Sequence, residues 1–411
     1  MRSSKEIIIS GVVLFIVSIN VAFAQKKINY TAIMRSNVGT DTMWDGQFFR
    51  IYGITDKLSA SSVIPAKILY ANEGDTVVIN TLNISQNSHH TIHLHGLDVD
   101  TRNDGDPATS FSLKHMQDTT YTFVAKHAGT YLYHCHAGDV VHVQMGMYGL
   151  IIVNVAGGIK KTQTKGGELF DKSYNWLLSE IDRGWHDNIP EMDLKTDTLQ
   201  IPLYKPQYFL INGKSETELD KDSTIKIEGR QNEKIYLRIG AIGFYTNQII
   251  FPAWLNARII DSDGRPLPVE IDSDTLNIAP GERYGVMLKP SAQLADKIKV
   301  NFINMNTDSV WSRQLINVDV KGFLSDGNTL KPNPTLSIYP NPASDQIVVS
   351  LQKPSSEIYS LKIFDSIGKM VYTDSFIPPS SLFKVCLPKG IYFVKIENSI
   401  SSYTSKLTVS N

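Results

Sequence analysis

Residues 131–149 read Tyr-Leu-Tyr-His-Cys-His-Ala-Gly-Asp-Val-Val-His-Val-Gln-Met-Gly-Met-Tyr-Gly, which puts three histidines, one cysteine and two methionines into one stretch. On a β-strand, successive side chains point to opposite faces. Cys135 therefore points one way, and His134 and His136 the other. A second histidine-rich stretch, 89–96, reads His-His-Thr-Ile-His-Leu-His-Gly. His93 and His95 are two apart and share a strand face, whereas His90, three residues before His93, falls on the opposite one. The histidines thus sort into two sets. His90, Cys135 and His142, with Met147 as a weak axial donor, combine a thiolate, two imidazoles and a thioether, the donor set of a mononuclear copper site. His93, His95, His134 and His136 form an imidazole cluster on an outward face. His134 and His136 are bonded in sequence to Cys135, so an electron at the first site has a short covalent path to the second.

A single histidine on an apolar strand is ordinarily a hydrogen-bonded core residue. Here all but one of the ten histidines lie between 89 and 142, a concentration that core packing does not explain. The thioether and the cysteine between two histidines favour copper over zinc, whose sites use four nitrogen or sulfur donors without thioether.

These motifs resemble those of the multicopper oxidases, laccase-like proteins built of linked cupredoxin domains. The resemblance is carried by His-Thr-Ile-His-Leu-His-Gly at 90–96 and His-Cys-His at 134–136 with His142 and Met147, and it extends more weakly over 30–320. It implies that His90, Cys135, His142 and Met147 hold a type 1 copper. It implies too that His93, His95, His134 and His136 belong to a type 2/type 3 copper cluster where oxygen is reduced. A third implication is a proton-delivering role for Asp104, in Asn-Asp-Gly shortly after Gly96. Oxygen reduction consumes protons, so a carboxylate there fits the chemistry, although Asn-Asp-Gly is also an ordinary turn.

Two departures from the family pattern stand out. His142 follows Cys135 by seven positions, two more than is usual in laccase-like members, and the extra residues are expected in a loop at 137–141. A trinuclear cluster in this family also takes eight histidines from two facing domains, and this chain offers four. A homo-oligomer in which two first domains face each other would supply eight.

The elements that must position these side chains read as β throughout. Segments rich in Val, Ile, Tyr and Thr at 67–70, 76–82, 120–124, 129–135 and 149–155, separated by turns such as Glu73-Gly74-Asp75, predict an antiparallel sandwich over 25–156. The expected fold class is all-β: two cupredoxin-like β-sandwich domains followed by a small β-sandwich. Residues 157–166 are polar and read as a linker. The second domain, 167–320, is marked by Phe-Leu-Ile-Asn-Gly at 209–213 and Ala-Pro-Gly-Glu-Arg-Tyr at 279–284. It has no cysteine and one histidine, His186, so it is expected to hold neither a type 1 copper nor a pair of cluster histidines. Residues 325–334 form a second linker.

From 334 to 411 the chain resembles the C-terminal sorting domain of the type IX secretion system, on Leu-Ser-Ile-Tyr-Pro-Asn-Pro-Ala-Ser-Asp at 336–345 and Lys-Gly-Ile-Tyr-Phe-Val-Lys at 389–395. That implies the secretion machinery as a partner and export through the periplasm and outer membrane to the surface or medium. Residues 1–24 agree: Arg2 and Lys5 precede an apolar run to residue 21, and Ala22-Phe23-Ala24 reads as a signal-peptide cleavage site. With Cys135 assigned to metal and Cys386 in a separate module, no disulfide is expected. A net charge of −1 points to no nucleic-acid partner.

The expected function is an exported copper oxidoreductase that takes electrons from a small-molecule or metal-ion reductant and delivers them to oxygen. Two alternatives remain: a copper-binding or electron-transfer protein with only the type 1 copper, and a nitrite reductase-like enzyme. The latter needs a histidine from another domain, and only His186 is available.

Overall fold

The computed structural model describes residues 25–163, 166–189, 202–322, 336–351, 358–366, 368–398 and 402–410. The expected signal peptide and the expected linker at 325–334 lie outside them. The chain divides into two compact units, 1–323 and 324–411.

The first unit opens with eight strands: β1 (Lys27–Thr42), β2 (Phe48–Thr55), β3 (Leu69–Asn72), β4 (Thr76–Asn83), β5 (His93–His95), β6 (Asp118–Val124), β7 (Gly129–His134) and β8 (Tyr148–Asn154). Short helices α1 (Thr101–Asp104) and α2 (Asp139–Gln144) interrupt them. The strands form two four-stranded sheets, β2-β1-β4-β6 and β3-β8-β7-β5. Their inner faces enclose a core that includes Met34, Ile79, Tyr121, Cys135 and Met147. Strands read from sequence at 67–70 and 149–155 fall within two residues of β3 and β8, the usual uncertainty of strand ends.

Strand β8 is buried along nearly its whole length, and its sequence is a continuous apolar run rather than an alternating one. Such a run marks a strand covered on both faces. The cover on the outer face is the second sandwich: Leu132, Leu150 and Ile152 share a core with Leu177, Ile181, Leu210 and Ile242. At Gly240 an added Cβ would stand 3.2 Å from both Leu132 and Leu150, so this residue lets the two sandwiches approach closely.

The second sandwich has a six-stranded sheet in the order Tyr208–Ile211, Lys172–Ile181, Ile235–Ala241, Arg283–Leu288, Arg258–Ser262, Arg265–Asp272. A five-stranded sheet, Ile227–Arg230, Ser309–Lys321, Ala295–Asn304, Thr246–Ile250, Thr275–Ile278, packs against it. Trp176 lies fully buried in this core, and its Nε1 donates to Ile225 O at 3.0 Å. Trp176→Ala is expected to destabilise the first unit by about 3–5 kcal/mol through the cavity it leaves, read from the denaturant midpoint. The expected linker is pinned rather than free: Lys161 bridges to Leu169, and Gln163 Nε2 donates to Ala128 O at 3.3 Å.

Where the sandwiches meet, Gln144 of α2 donates from Nε2 to Glu180 O at 2.7 Å. The Glu180 carboxyl is buried. It accepts from Phe244 N at 2.7 Å and from the Tyr204 hydroxyl at 3.3 Å, and burial raises its pKa from 4.5 to about 7. The folded state therefore holds this proton more tightly than the unfolded chain. The proton's contribution to stability is full below pH 4.5 and is lost as pH rises through about 7, a change of about 3 kcal/mol. Glu180→Gln is expected to remove that loss, so the variant gains on the parent between acid and neutral pH in urea titrations of the copper-free protein.

The second unit is a small sandwich. The strands Leu336–Tyr339, Gln346–Leu351 and Ser380–Lys384 make one sheet, and Met370–Phe376, Tyr359–Phe364, Gly390–Glu397 and Ser402–Val409 the other. Ile347, Leu361, Ile363, Val394 and Leu407 fill its core.

Candidate metal centre

Strand β7 ends at His134, and Cys135 follows with its N–H donating to Met147 O at 3.0 Å. Met147 N–H donates in turn to His142 O at 3.0 Å. This pairing ties the segment carrying Cys135 to the one carrying His142 and Met147. Cys135 Sγ stands 3.5 Å from His90 Nδ1 and 3.2 Å from His142 Nδ1. The three donor atoms lie within 4.8 Å of one another, and the residues are at most 3% exposed. Metal–nitrogen and metal–sulfur bonds of about 2.0–2.3 Å place neighbouring donors at roughly such separations.

The sequence led to a loop between Cys135 and His142; the structure forms α2 there instead. A helix advances only about 1.5 Å per residue, against about 3.3 Å for a strand. One helical turn therefore absorbs the two extra residues while His142 still reaches Cys135. Gly138 makes room for the ring, since an added Cβ would lie 2.4 Å from its atoms.

His90 is oriented from behind. Ser85 Oγ is 2.8 Å from its Nε2, which leaves Nδ1 directed at Cys135. Ser85 is itself held: its Oγ accepts from Ser36 N at 2.7 Å and its N–H donates to Asn83 Oδ1 at 2.8 Å. Burial, reinforced by His142 and His89, pushes the His90 pKa well below 6.5. The imidazole is thus neutral and its lone pair available. A cysteine sulfur, two imidazoles and a fixed outer hydrogen bond fit a soft, tetrahedral or trigonal metal site. Sequence reading missed Ser85, for which neither its type nor its spacing gave a signal. Ser85→Ala is expected to weaken copper binding at this site about 10- to 100-fold, measured by competition with a chelator.

On the other side of Cys135, β5 pairs antiparallel with β7 so that His93 lies opposite His134. Ligand nitrogens of His93, His95 and His134 lie within 4.8 Å of one another, and His95 Nδ1 is 3.3 Å from His134 Nε2. The alternation read from the sequence holds, because Leu94 between the two histidines is buried at 1%. The ring of His136 packs 5.1 Å from that of His93 and 5.8 Å from that of His134. Its Nδ1 is 3.9 Å from Asp106 Oδ2, so His136 stands beside the converging trio. Burial is the main cause of low basicity here: it takes His134 to about 3 and His95 to about 4, with Arg283 the next cause for His95.

His93 Nδ1 donates to the backbone carbonyl of Asp104 at 2.8 Å, while Asp104 Oδ1 is 3.5 Å away. The Asp104 contact seen here is thus chiefly a main-chain one that orients the ring. Gly105 permits it: with φ +79°, its Cβ would fall 2.0 Å from Ile92 O. The second sandwich also reaches the cluster, which the sequence did not suggest. The turn at 279–284 brings Gly281 to within 3.2 Å of His95 (from its Cβ position) and lays the Arg283 guanidinium against Gly96. Arg283 is held by Asp263 Oδ1 at 2.9 Å and Gly281 O at 2.7 Å. Asp106 was missed as well.

His186 is fully buried, with Nδ1 2.6 Å from Arg50 O and Nε2 2.9 Å from Gln144 O. Both ring nitrogens face backbone carbonyls, which removes the histidine on which the nitrite reductase-like alternative depended. His127 is 3.2 Å from Asp98. Cys135 is buried and Cys386 exposed, and neither forms a disulfide.

Comparison with known proteins agrees with this geometry. Two multicopper oxidase models match residues 58–157 and 179–316, together more than half of the chain, and a secretion system C-terminal sorting domain model matches 337–410. Copper resistance protein A of Escherichia coli is 39% identical over 133 residues, 32% of this chain and 20% of that protein. An L-ascorbate oxidase of Brassica rapa subsp. pekinensis is 23% identical over 258 residues, 56% of this chain and 43% of that protein. The chain thus spans less than half the length of these curated relatives. Among solved structures, the blue copper oxidase from Nitrosomonas europaea superposes with a TM-score of 0.56 at 25% identity, covering 72% of this chain and 86% of that one. The matched models, the cupredoxin architecture and the paired histidine groups around Cys135 place the chain in the multicopper oxidase family, with a type IX sorting domain at its C-terminal end.

Proposed function

We propose that the protein is an exported copper oxidoreductase that oxidises a reductant one electron at a time and delivers the electrons to oxygen. The observation that carries this reading is the placement of two histidine groups on opposite sides of Cys135, with His134 bonded directly to it. Copper, when bound, supplies the one-electron redox chemistry at both places. His90, Cys135, His142 and Met147 would hold the type 1 ion, and His93, His95, His134 and His136 would provide one half of a type 2/type 3 cluster. The remaining work falls to the chain's own groups. Burial of the thiolate site excludes water, and Ser85 fixes the His90 ring. Asp104 and Asp106 flank the cluster with partly exposed carboxylates, able to carry protons to it. The side chains of His93 and His136 are 21% and 35% exposed, so the cluster is reached from solvent on that side. Pairing of two first domains would complete the cluster in a homo-oligomer. The sorting domain directs the chain to the type IX machinery and so across the outer membrane.

A second reading, a copper protein that only transfers electrons, draws support from the second sandwich, whose single histidine is locked on two carbonyls. Oxygen uptake by the copper-loaded protein in the presence of a one-electron reductant decides between them. Sustained uptake, with water as product, is expected. A blue protein that is reduced once and consumes no oxygen would establish the second reading.

A further inference from the structure

Away from both histidine groups, the first unit carries a groove of about 570 Å³ whose walls come from the two sandwiches. One wall is the tight turn between β1 and β2. There Met43 N–H donates to Gln47 O at 2.8 Å and Gly46 takes φ +80°, which presents Trp44 and Asp45 outward. The other wall carries Trp311 and Gln314, from the strand Ser309–Lys321, with Ser215 and Glu216 beside them. The two indoles are 47% and 49% exposed, a large aromatic surface to leave in water.

The floor between them is polar and fixed. Asp45 accepts from the Tyr208 hydroxyl at 3.1 Å and from Gln47 N at 3.0 Å. Gln314, 2% exposed, donates from Nε2 to Glu216 Oε1 at 3.2 Å and accepts from Glu216 N at 3.0 Å. This reciprocal pair holds Glu216 at φ +50°, a left-handed conformation that a non-glycine residue adopts at a cost. Ser215 also lines the groove. It is 2% exposed, and its hydroxyl has no hydrogen-bond partner among the described residues.

We infer that this groove binds a neutral oligosaccharide. Sugar rings present C–H faces that pack on indoles and hydroxyls that donate to carboxylates, the two features paired here. Asp45 and Glu216 supply two carboxylates and Lys205 an ammonium at the groove, while the Arg183 guanidinium bonds the Tyr208 hydroxyl and Gln47 Oε1 beside it; this balanced charge favours a neutral ligand, and the polar floor disfavours a lipid or a purely apolar molecule. The volume falls within the usual range of small-ligand sites. This inference is independent of the copper reading, and the copper-free and copper-loaded forms are expected to bind alike.

The test is titration of the full-length protein with cellohexaose, xylohexaose, mannohexaose and chitohexaose, followed by tryptophan fluorescence and calorimetry. At least one hexasaccharide is expected to bind saturably. Trp44→Ala and Trp311→Ala should each weaken it by about tenfold or more, Trp311→Phe less, and the distant Val269→Lys not at all. Circular dichroism reports whether each variant is folded. Three results would each overturn the inference: no saturable binding of any of the four sugars, undiminished binding by folded Trp44→Ala and Trp311→Ala, or tryptophan substitutions that change only the native mass.

Discussion

Cys135→Ser is expected to abolish the visible thiolate-to-copper absorption outright and to lower bound copper by one ion per chain, while far-ultraviolet circular dichroism stays that of the parent. Colour depends on the sulfur alone, because serine cannot supply a soft, deprotonated donor at neutral pH. The fold should survive, because Ser and Cys differ little in volume and the surrounding core, including Met34, Ile79, Tyr121 and Met147, is untouched. Electron delivery from the reductant to oxygen should fall to background, since the substitution removes the residue that joins the two histidine groups. A Cys135→Ser protein that keeps its blue band would show that the sulfur is not a ligand.

The second large effect belongs to the other face. His134→Ala is expected to remove the copper bound by the histidine cluster and to stop oxygen consumption, yet to leave the blue band in place. The separation follows from the geometry: His134 Nε2 faces His95, and its Nδ1 donates to Cys135 O at 3.0 Å, whereas the Cys135 sulfur faces His90 and His142. His93→Ala should behave similarly, because that ring is held in place by Asp104 O. The two effects should also be distinguishable by spin resonance: the cluster variants lose the ordinary cupric signal, and Cys135→Ser loses the thiolate-type one. If His134→Ala bleached the blue band and left the remaining copper untouched, the division of ligands between the two sites would be wrong.

Much of this arrangement is legible in the sequence itself. A strand has a period of two, so His134, Cys135 and His136 had to fall on alternating faces, and His93 and His95 on one face. The β5–β7 register with His93 opposite His134 is the three-dimensional form of that pattern. The all-β architecture was legible for a related reason, in its short Val-, Ile-, Tyr- and Thr-rich segments.

What was not legible depends on contacts distant in sequence. Ser85 stands only five residues before His90, but its hydroxyl is aimed by the N–H of Ser36, 49 residues from it. Arg283 and Gly281 come from the other sandwich, and the turn that bears them read only as framework. The helix at Asp139–Gln144 is a run of six residues, which carries too little helical periodicity to read from sequence. The expected Asp104 role rested on a carboxylate, and the structure brings its backbone carbonyl closest to His93. Tertiary packing set these details, while local pattern set the faces.

The most direct test of the two-site account is copper analysis of the purified, copper-loaded full-length protein, with visible and spin-resonance spectra and the native mass recorded on the same sample. The account predicts a blue thiolate band together with more than one copper per chain, a second cupric signal without thiolate character, and a mass greater than that of one chain. One blue copper per chain, with no further bound metal and a monomeric mass, would contradict it and leave an electron-transfer protein on an oxidase scaffold.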